Sequence, residues 1–316
     1  MTASRIGLLH GGALGDFVLT WHLLRTFGRE HADSELCVWA RAPVADTDPG
    51  IWGVDRLIDV ESCGLHSLFV EDAHCSCELA ETLRACDLLI NTLANDDSAL
   101  AVTLRRCLKG DVVSLETAPK SGHTDHVTHQ WAAILKRQGH DLPAPGEFEL
   151  RVDASRVRSA RDRIRATAGT DVERVVLIHP GSGSRRKCWA LANFFFLANE
   201  LISCRIGVVF IVGPVERELF TAEELESIRA RPYIELPSLE ELIDLVAAAD
   251  LCVGNDSGFC HLAAAVPGSR VLALFGATDP RVWRPLGRCV QVAGSVGEWP
   301  DTNTVLERAR VALESN

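Results

Sequence analysis

Four apolar runs in the second half of the chain are each too short for a helix and too continuous for a half-exposed strand. They are Val175-Val176-Leu177-Ile178-His179, Gly207-Val208-Val209-Phe210-Ile211-Val212, Asp250-Leu251-Cys252-Val253-Gly254-Asn255 and residues 271–275. Such runs read as strands buried on both faces, and helical spacing fills the intervals at 189–201, after Glu216, at 238–249 and from Asp256 onward. This alternation predicts an α/β fold, a parallel sheet wound with helices on both sides. The first half repeats it, with strands expected at 5–10, 35–39, 54–60, 87–91 and 112–114 and helices at 17–27, 78–85 and 98–108. Between the halves, Gly139-His140-Asp141-Leu142-Pro143-Ala144-Pro145-Gly146 is a linker signal. Two domains are therefore expected, 1–150 and 151–300, with 301–316 holding an amphipathic terminal helix. Residues 149–152 are expected to pair with a sheet, and 61–77 to form a polar surface excursion.

Composition removes several classes. A formal charge of −11 argues against a general nucleic-acid binder, which brings a basic face to phosphate. No apolar run is long enough to span a membrane, so at most peripheral contact is expected. The 11 cysteines are poorly spaced for a metal or disulfide framework; Cys37, Cys204, Cys252 and Cys260 lie in apolar runs, and Cys75-Ser76-Cys77 lacks a second pair. No metal and no cofactor is expected. Leu8-Leu9 is followed by glycines and Asp16 rather than a signal-peptide core, and a reducing cytoplasm suits both observations. His123, His126 and His129 recur beside Asp125 at three-residue steps, which drift around a helix, and polar residues at a helix start explain them better than a metal site.

The chemistry lies in the turns that follow strands. Asp256-Ser257-Gly258-Phe259-Cys260-His261 leaves a strand and opens a helix: Asp256 and Ser257 are N-cap types, Gly258 lets a ligand approach the backbone, and His261 lies one turn in. Such a junction offers N–H groups and the positive helix end to an anion, although a well-capped helix alone accounts for it equally well. Pro180-Gly181-Ser182-Gly183-Ser184-Arg185-Arg186-Lys187-Cys188-Trp189 is the richest loop, with glycines for close approach, hydroxyls at Ser182 and Ser184, and three cations in a row. It lacks the Gly-Lys-[Ser/Thr] of a Walker A loop, yet it has the makings of a phosphate cradle with Lys187 as point charge. Glu216 follows another strand, where a carboxylate accepts sugar hydroxyls or simply opens a helix. With the turn Gly276-Ala277-Thr278, these loops converge on one sheet edge and suit a nucleotide diphospho compound. In the first half, His10-Gly11-Gly12-Ala13-Leu14-Gly15-Asp16 is a glycine-rich turn without the G-x-G-x-x-G spacing, which disfavours a dehydrogenase. Asp16 stands at the carboxyl end of the first strand, where open sheets place their ligand crevice, and is either catalytic or a helix-start carboxylate.

In order along the chain, Gly15-Asp16, Gly183-x-x-x-Lys187-x-Trp189 and Asp256-Ser257-Gly258-x-x-His261-Leu262-Ala263-Ala264-Ala265, continuing into Leu274-Phe275-Gly276-Ala277-Thr278-Asp279-Pro280, resemble the ADP-heptose:lipopolysaccharide heptosyltransferases of glycosyltransferase family 9. The resemblance implies a GT-B fold, two Rossmann-like doubly wound domains facing a cleft, with the C-terminal helix crossing back to the first domain. It implies metal-independent, inverting transfer of a sugar, heptose from ADP-heptose above all, to a hydroxyl of a lipopolysaccharide-core or related glycan acceptor. By position, Asp16 would be the general base, with Gly12 and Gly15 beside it on the acceptor side. Lys187 would hold the diphosphate together with Ser182, Gly183 and Ser184; Asp256, Ser257, Gly258 and His261 would contact phosphate and sugar, and Glu216 the nucleoside. The early helix departs from the family in having Trp21-His22 where a proline is common. A nucleotide-sugar-binding protein without catalysis is the alternative, and a sugar-nucleotide epimerase ranks behind it.

Overall fold

The computed structural model describes residues 4–64, 78–116, 124–144, 146–169, 172–236 and 238–314; Cys75, Cys77, His123 and most of the 61–77 excursion lie outside them. The chain divides into two units, Met1–Phe148 and Glu149–Asn316.

In the first unit, β1 (Arg5–Leu9), β2 (Glu35–Ala40), β3 (Arg56–Asp59), β4 (Leu88–Asn91) and β5 (Asp111–Ser114) pair in parallel in the order β3-β2-β1-β4-β5. β1 and β4 are adjacent but not consecutive, so the chain reverses direction across the sheet beside β1, and this switch point opens a crevice at the carboxyl ends of the strands. The helix Leu14–Glu30 follows β1 and packs Phe17, Leu19, Trp21, Leu24 and Phe27 beneath the sheet. It begins three residues before the periodicity suggests, which moves Asp16 inside its first turn. Trp21 is fully buried and donates its indole N–H to the Trp52 carbonyl at 2.8 Å, while the His22 ring accepts the Phe148 N–H at 3.1 Å. The residues standing where a proline is common thus serve the core. His126 caps the helix Val127–Arg137 by accepting the Thr128 N–H, the helix-start role expected from its spacing.

In the second unit, β6 (Val175–His179), β7 (Gly207–Val212), β8 (Tyr233–Glu235), β9 (Leu251–Asn255), β10 (Val271–Leu274) and β11 (Val290–Ala293) form a parallel sheet in the order β11-β10-β9-β6-β7-β8. Read from the other edge, this is the Rossmann order, with its switch point between β6 and β9. Those central strands are buried at every position, which is why their sequences run apolar without alternation. β8 and β11 are the edge strands and are short and partly exposed, so periodicity alone does not mark them.

One expectation gives way here. Residues 149–152 join no sheet; the Leu150 N–H instead donates to the Ala265 carbonyl at 2.8 Å, closing the end of the helix Gly258–Ala265. The terminal helix Thr302–Glu314 seats its apolar stripe of Val305, Leu306, Ala309, Ala312 and Leu313 in the core of the second unit, with Phe194, Leu197, Leu201 and Leu272. An amphipathic helix with one such stripe is satisfied by one surface. Among the described residues no helix is long and apolar enough to cross a membrane.

Candidate active site

The carboxyl edge of the second sheet is held together by one amide. Asn255, the last residue of β9, is fully buried; its Nδ2 donates to the Pro180 and Gly181 carbonyls at 2.7 and 3.2 Å, and its Oδ1 accepts the Trp189 N–H at 2.8 Å. The loop after β6 is therefore fastened at both ends to the strand beside it, and Ser182 adds a third tie by donating to the Asp256 carbonyl at 2.6 Å. Fixed loop ends hold the residues between them in place.

The three consecutive cations then separate. Arg185 pairs with Glu224, and its guanidinium lies 4.8 Å from the centre of the Phe220 ring. Lys187 takes another direction: its Nζ is 2.9 Å from Asp256 Oδ2 and 6.0 Å from the centre of the Trp283 indole. Arg186 is exposed. At Gly183, no atom lies within 4 Å of where a Cβ would stand, so the surrounding protein does not exclude a side chain there and the room is open to a ligand. Ser184 is an extended residue whose carbonyl accepts the Lys187 N–H at 3.0 Å.

Asp256 is the hub. Its Oδ2 takes both Lys187 and the Thr278 hydroxyl, at 2.6 Å, and its Oδ1 stands 3.7 Å from His261 Nε2. Burial alone would raise its pKa, but His261, Lys187 and Thr278 outweigh that effect and hold the carboxyl at about 2. Asp256 is thus an anion at every physiological pH. Ser257 is the N-cap residue of the helix Gly258–Ala265, yet its side chain does not cap. An N-cap hydroxyl that bonds its helix contributes about 1 kcal/mol, so Ser257 leaves an unused donor and unsatisfied helix N–H groups at the crevice. His261 is 3% exposed, and its Nδ1 also lacks a hydrogen-bond partner among the described residues.

Of the two roles expected for Glu216, its position is that of a carboxylate opening a helix, in the first turn of Pro214–Leu219. It is fully buried; Oε2 accepts the Gly213 N–H at 2.7 Å, reaching back from the third helical position to the N-cap backbone, and Oε1 lies 3.1 Å from His179 Nε2. A Cβ on Gly181 would stand 1.9 Å from Oε1, so that glycine is what admits the carboxylate beneath the loop. Its position after a strand was readable; its inward rotamer was not.

In the first unit, Asp16 lies in the first turn of the helix Leu14–Glu30, half-buried, with Gly15 buried beside it. The N-cap there is Ala13, which has no side-chain bond to give. Its carbonyl is held instead by His10, whose Nε2 lies at 3.3 Å while Nδ1 meets the Thr92 hydroxyl at 2.8 Å. A Cβ on Gly12 would stand 3.3 Å from the His10 ring and 3.8 Å from Asp16 Oδ2, so that glycine lets the turn pass close to the carboxylate. Burial lowers the His10 pKa to about 4, and the Ala13 and Gly12 carbonyls oppose that only in part.

Those two shifts set the acid limit of the fold. His10 is bound neutral and its unfolded pKa is 6.5, so stability falls as pH drops from 6.5 toward 4, by up to about 3 kcal/mol. Asp256 is bound charged, so its contribution is complete above 3.8 and is lost as pH falls toward 2. The denaturation midpoint is expected to decline below pH 6.5, and His10→Gln, which cannot take up the proton, should flatten that decline. Equal slopes for wild type and variant would contradict the assignment.

Among the described residues no group of three or more His, Cys, Asp or Glu is placed to hold a metal ion; eight cysteines there are free and Cys107 is disulfide-bonded. Paired parallel sheets of this order, with a lysine, a carboxylate and an open helix start at the crevice of the second, are the plan of a GT-B glycosyltransferase. The chain belongs to glycosyltransferase family 9 (heptosyltransferase), whose model matches residues 112–309. It is similar to a lipopolysaccharide heptosyltransferase 3 of Escherichia coli, 34% identical over 114 residues that make up 35% of this chain and 33% of that protein. Lipopolysaccharide heptosyltransferase 3 of Escherichia coli strain K12 is 26% identical over 296 residues, 86% of this chain and 82% of that one. Among solved structures, E. coli ADP-heptose lps heptosyltransferase II superposes with a TM-score of 0.71 at 19% identity, over 98% of both chains, and so shares the fold.

Proposed function

We propose that this glycosyltransferase moves heptose from ADP-heptose to a hydroxyl of a lipopolysaccharide-core or related glycan, inverting the anomeric centre without a metal. The observation that carries the reading is the Lys187–Asp256–Thr278 cluster beside the uncapped start of the helix Gly258–Ala265. As the bond between the anomeric carbon and the β-phosphate oxygen breaks, its electron pair stays on phosphate. Lys187 and the N–H groups at Ser257 and Gly258 meet that charge, while Ser182, Gly183 and Ser184 line the approach. The acceptor hydroxyl attacks from the opposite face and gives its proton to Asp16. His261 orients Asp256 and offers Nδ1 toward the sugar. The ADP and heptose assignments rest on what the similar proteins are named for, and the chemistry of a cytoplasmic donor is consistent with at most peripheral membrane contact.

Calorimetry with ADP, UDP and GDP tests the donor. ADP should bind at least about tenfold more tightly than the other two, a difference of about 1.4 kcal/mol. Equal affinity for all three would remove the adenine assignment, and no affinity for any would remove the diphosphate site.

A further inference from the structure

Lys187 has an aromatic neighbour that nothing in the motif pattern singles out. Trp283 closes the short helix Pro280–Trp283 after β10 and is half-buried, with its ring centre 6.0 Å from Lys187 Nζ. The segment that carries it is well anchored. Asp279 caps the helix by accepting the Arg281 N–H at 2.9 Å, Val282 is buried, and the backbone at Gly287 passes so close to the helix Gly258–Ala265 that a Cβ there would stand 2.3 Å from the Ala264 carbonyl. Trp189 is 2% exposed, whereas Trp283 is only half-buried and lies beside the amine.

We propose that Trp283 is a specificity-determining residue of the donor site, a flat apolar platform for the C–H face of the transferred sugar. This rests on Lys187 holding the donor's diphosphate. The groups attached directly to the two ends of a diphosphate are both sugars, the ribose and the transferred one, whereas the base lies a full ribose further out. A ring centred 6.0 Å from the phosphate-holding amine is therefore within reach of a sugar and short of the base. The patch of C–H bonds on one face of a pyranose fits an indole face, which carries partial negative charge toward those hydrogens. The Thr278 hydroxyl and the Asp256 carboxylate, at the foot of the same loop, supply the polar counterpart for sugar hydroxyls. Ribose and the transferred sugar are told apart by the ligand used.

The experiment compares ADP with a 2-deoxy-2-fluoro ADP-heptose, a donor slow to react, by calorimetry on wild type, Trp283→Ala and Trp283→Phe. Wild-type binding of ADP establishes the underlying nucleotide site; if it fails, the reading of the diphosphate site is at fault and this platform falls with it. Given ADP binding, Trp283→Ala should leave ADP affinity within about twofold and weaken the fluoro-donor by about tenfold or more, with Trp283→Phe recovering part of the loss. An equal loss for ADP and fluoro-donor would overturn the proposal in favour of ribose contact or a structural role, as would no loss for either. With wild type turning over ADP-heptose, Trp283→Ala should raise the donor KM more than it lowers kcat; the reverse pattern would count against a platform that acts by binding.

Discussion

Asp16→Ala is expected to lower kcat by about 10²–10⁴-fold while ADP affinity stays within about twofold of wild type. The carboxylate lies in the first turn of a helix whose N-cap is an alanine, and at Gly12, where a Cβ would stand 3.8 Å from Asp16 Oδ2, there is no side chain to crowd it. Nothing in that turn replaces a lost base. The fold should survive, because a helix-start carboxylate contributes only about 0.3–1 kcal/mol. The measurement is ADP release with donor and acceptor, set beside calorimetry with ADP on the same preparation. Turnover close to wild type would remove Asp16 from the chemistry, and a parallel collapse of nucleotide binding would show instead that the mutation acts through structure.

Lys187→Ala should have an effect of similar size by another route. Removing a positioned cation from a developing phosphate charge costs about 10²–10³-fold in kcat, and the ground-state diphosphate loses affinity as well. Arginine is not expected to restore it. A planar guanidinium needs a wider slot than an ammonium 2.9 Å from Asp256 Oδ2 and facing Trp283. Asp256→Asn separates the two functions of the lysine: it frees Nζ from its internal partner and should tighten ADP binding even as turnover falls. If Lys187→Ala bound ADP as wild type does, the phosphate assignment would be lost.

Much of this was legible from residue order. Buried parallel strands cannot alternate, so β6, β7, β9 and β10 announced themselves as continuous apolar runs, and the turns after them were rich in glycines, hydroxyls and charge. The edge strands β8 and β11 went unmarked because three or four partly exposed residues carry no period. The site was legible as a set of loops but not as a set of contacts. Arg185 and Lys187 are neighbours in one basic run, yet Arg185 pairs with Glu224, which lies 39 residues away, and Lys187 with Asp256, 69 away. Spacing along the chain does not encode which cation turns which way. Glu216 shows the same limit: its burial depends on a missing Cβ at Gly181, a steric fact of the folded loop. Trp283 and His10 match no motif, and only their neighbours give them a part. The terminal helix was readable as amphipathic, but its single stripe says nothing about which surface receives it.

The internal partner of Lys187 also bears on how a catalytic cycle ends. With a carboxyl pKa of about 2, Asp256 is a permanent resident anion beside the amine. If Lys187 holds the donor's diphosphate as proposed, an arriving donor would have to draw it away from Asp256, and a departing nucleotide would leave a rival ready to reclaim the vacancy. That rivalry would shorten the stay of spent ADP, trading some grip on the nucleotide for prompt clearance before the next round.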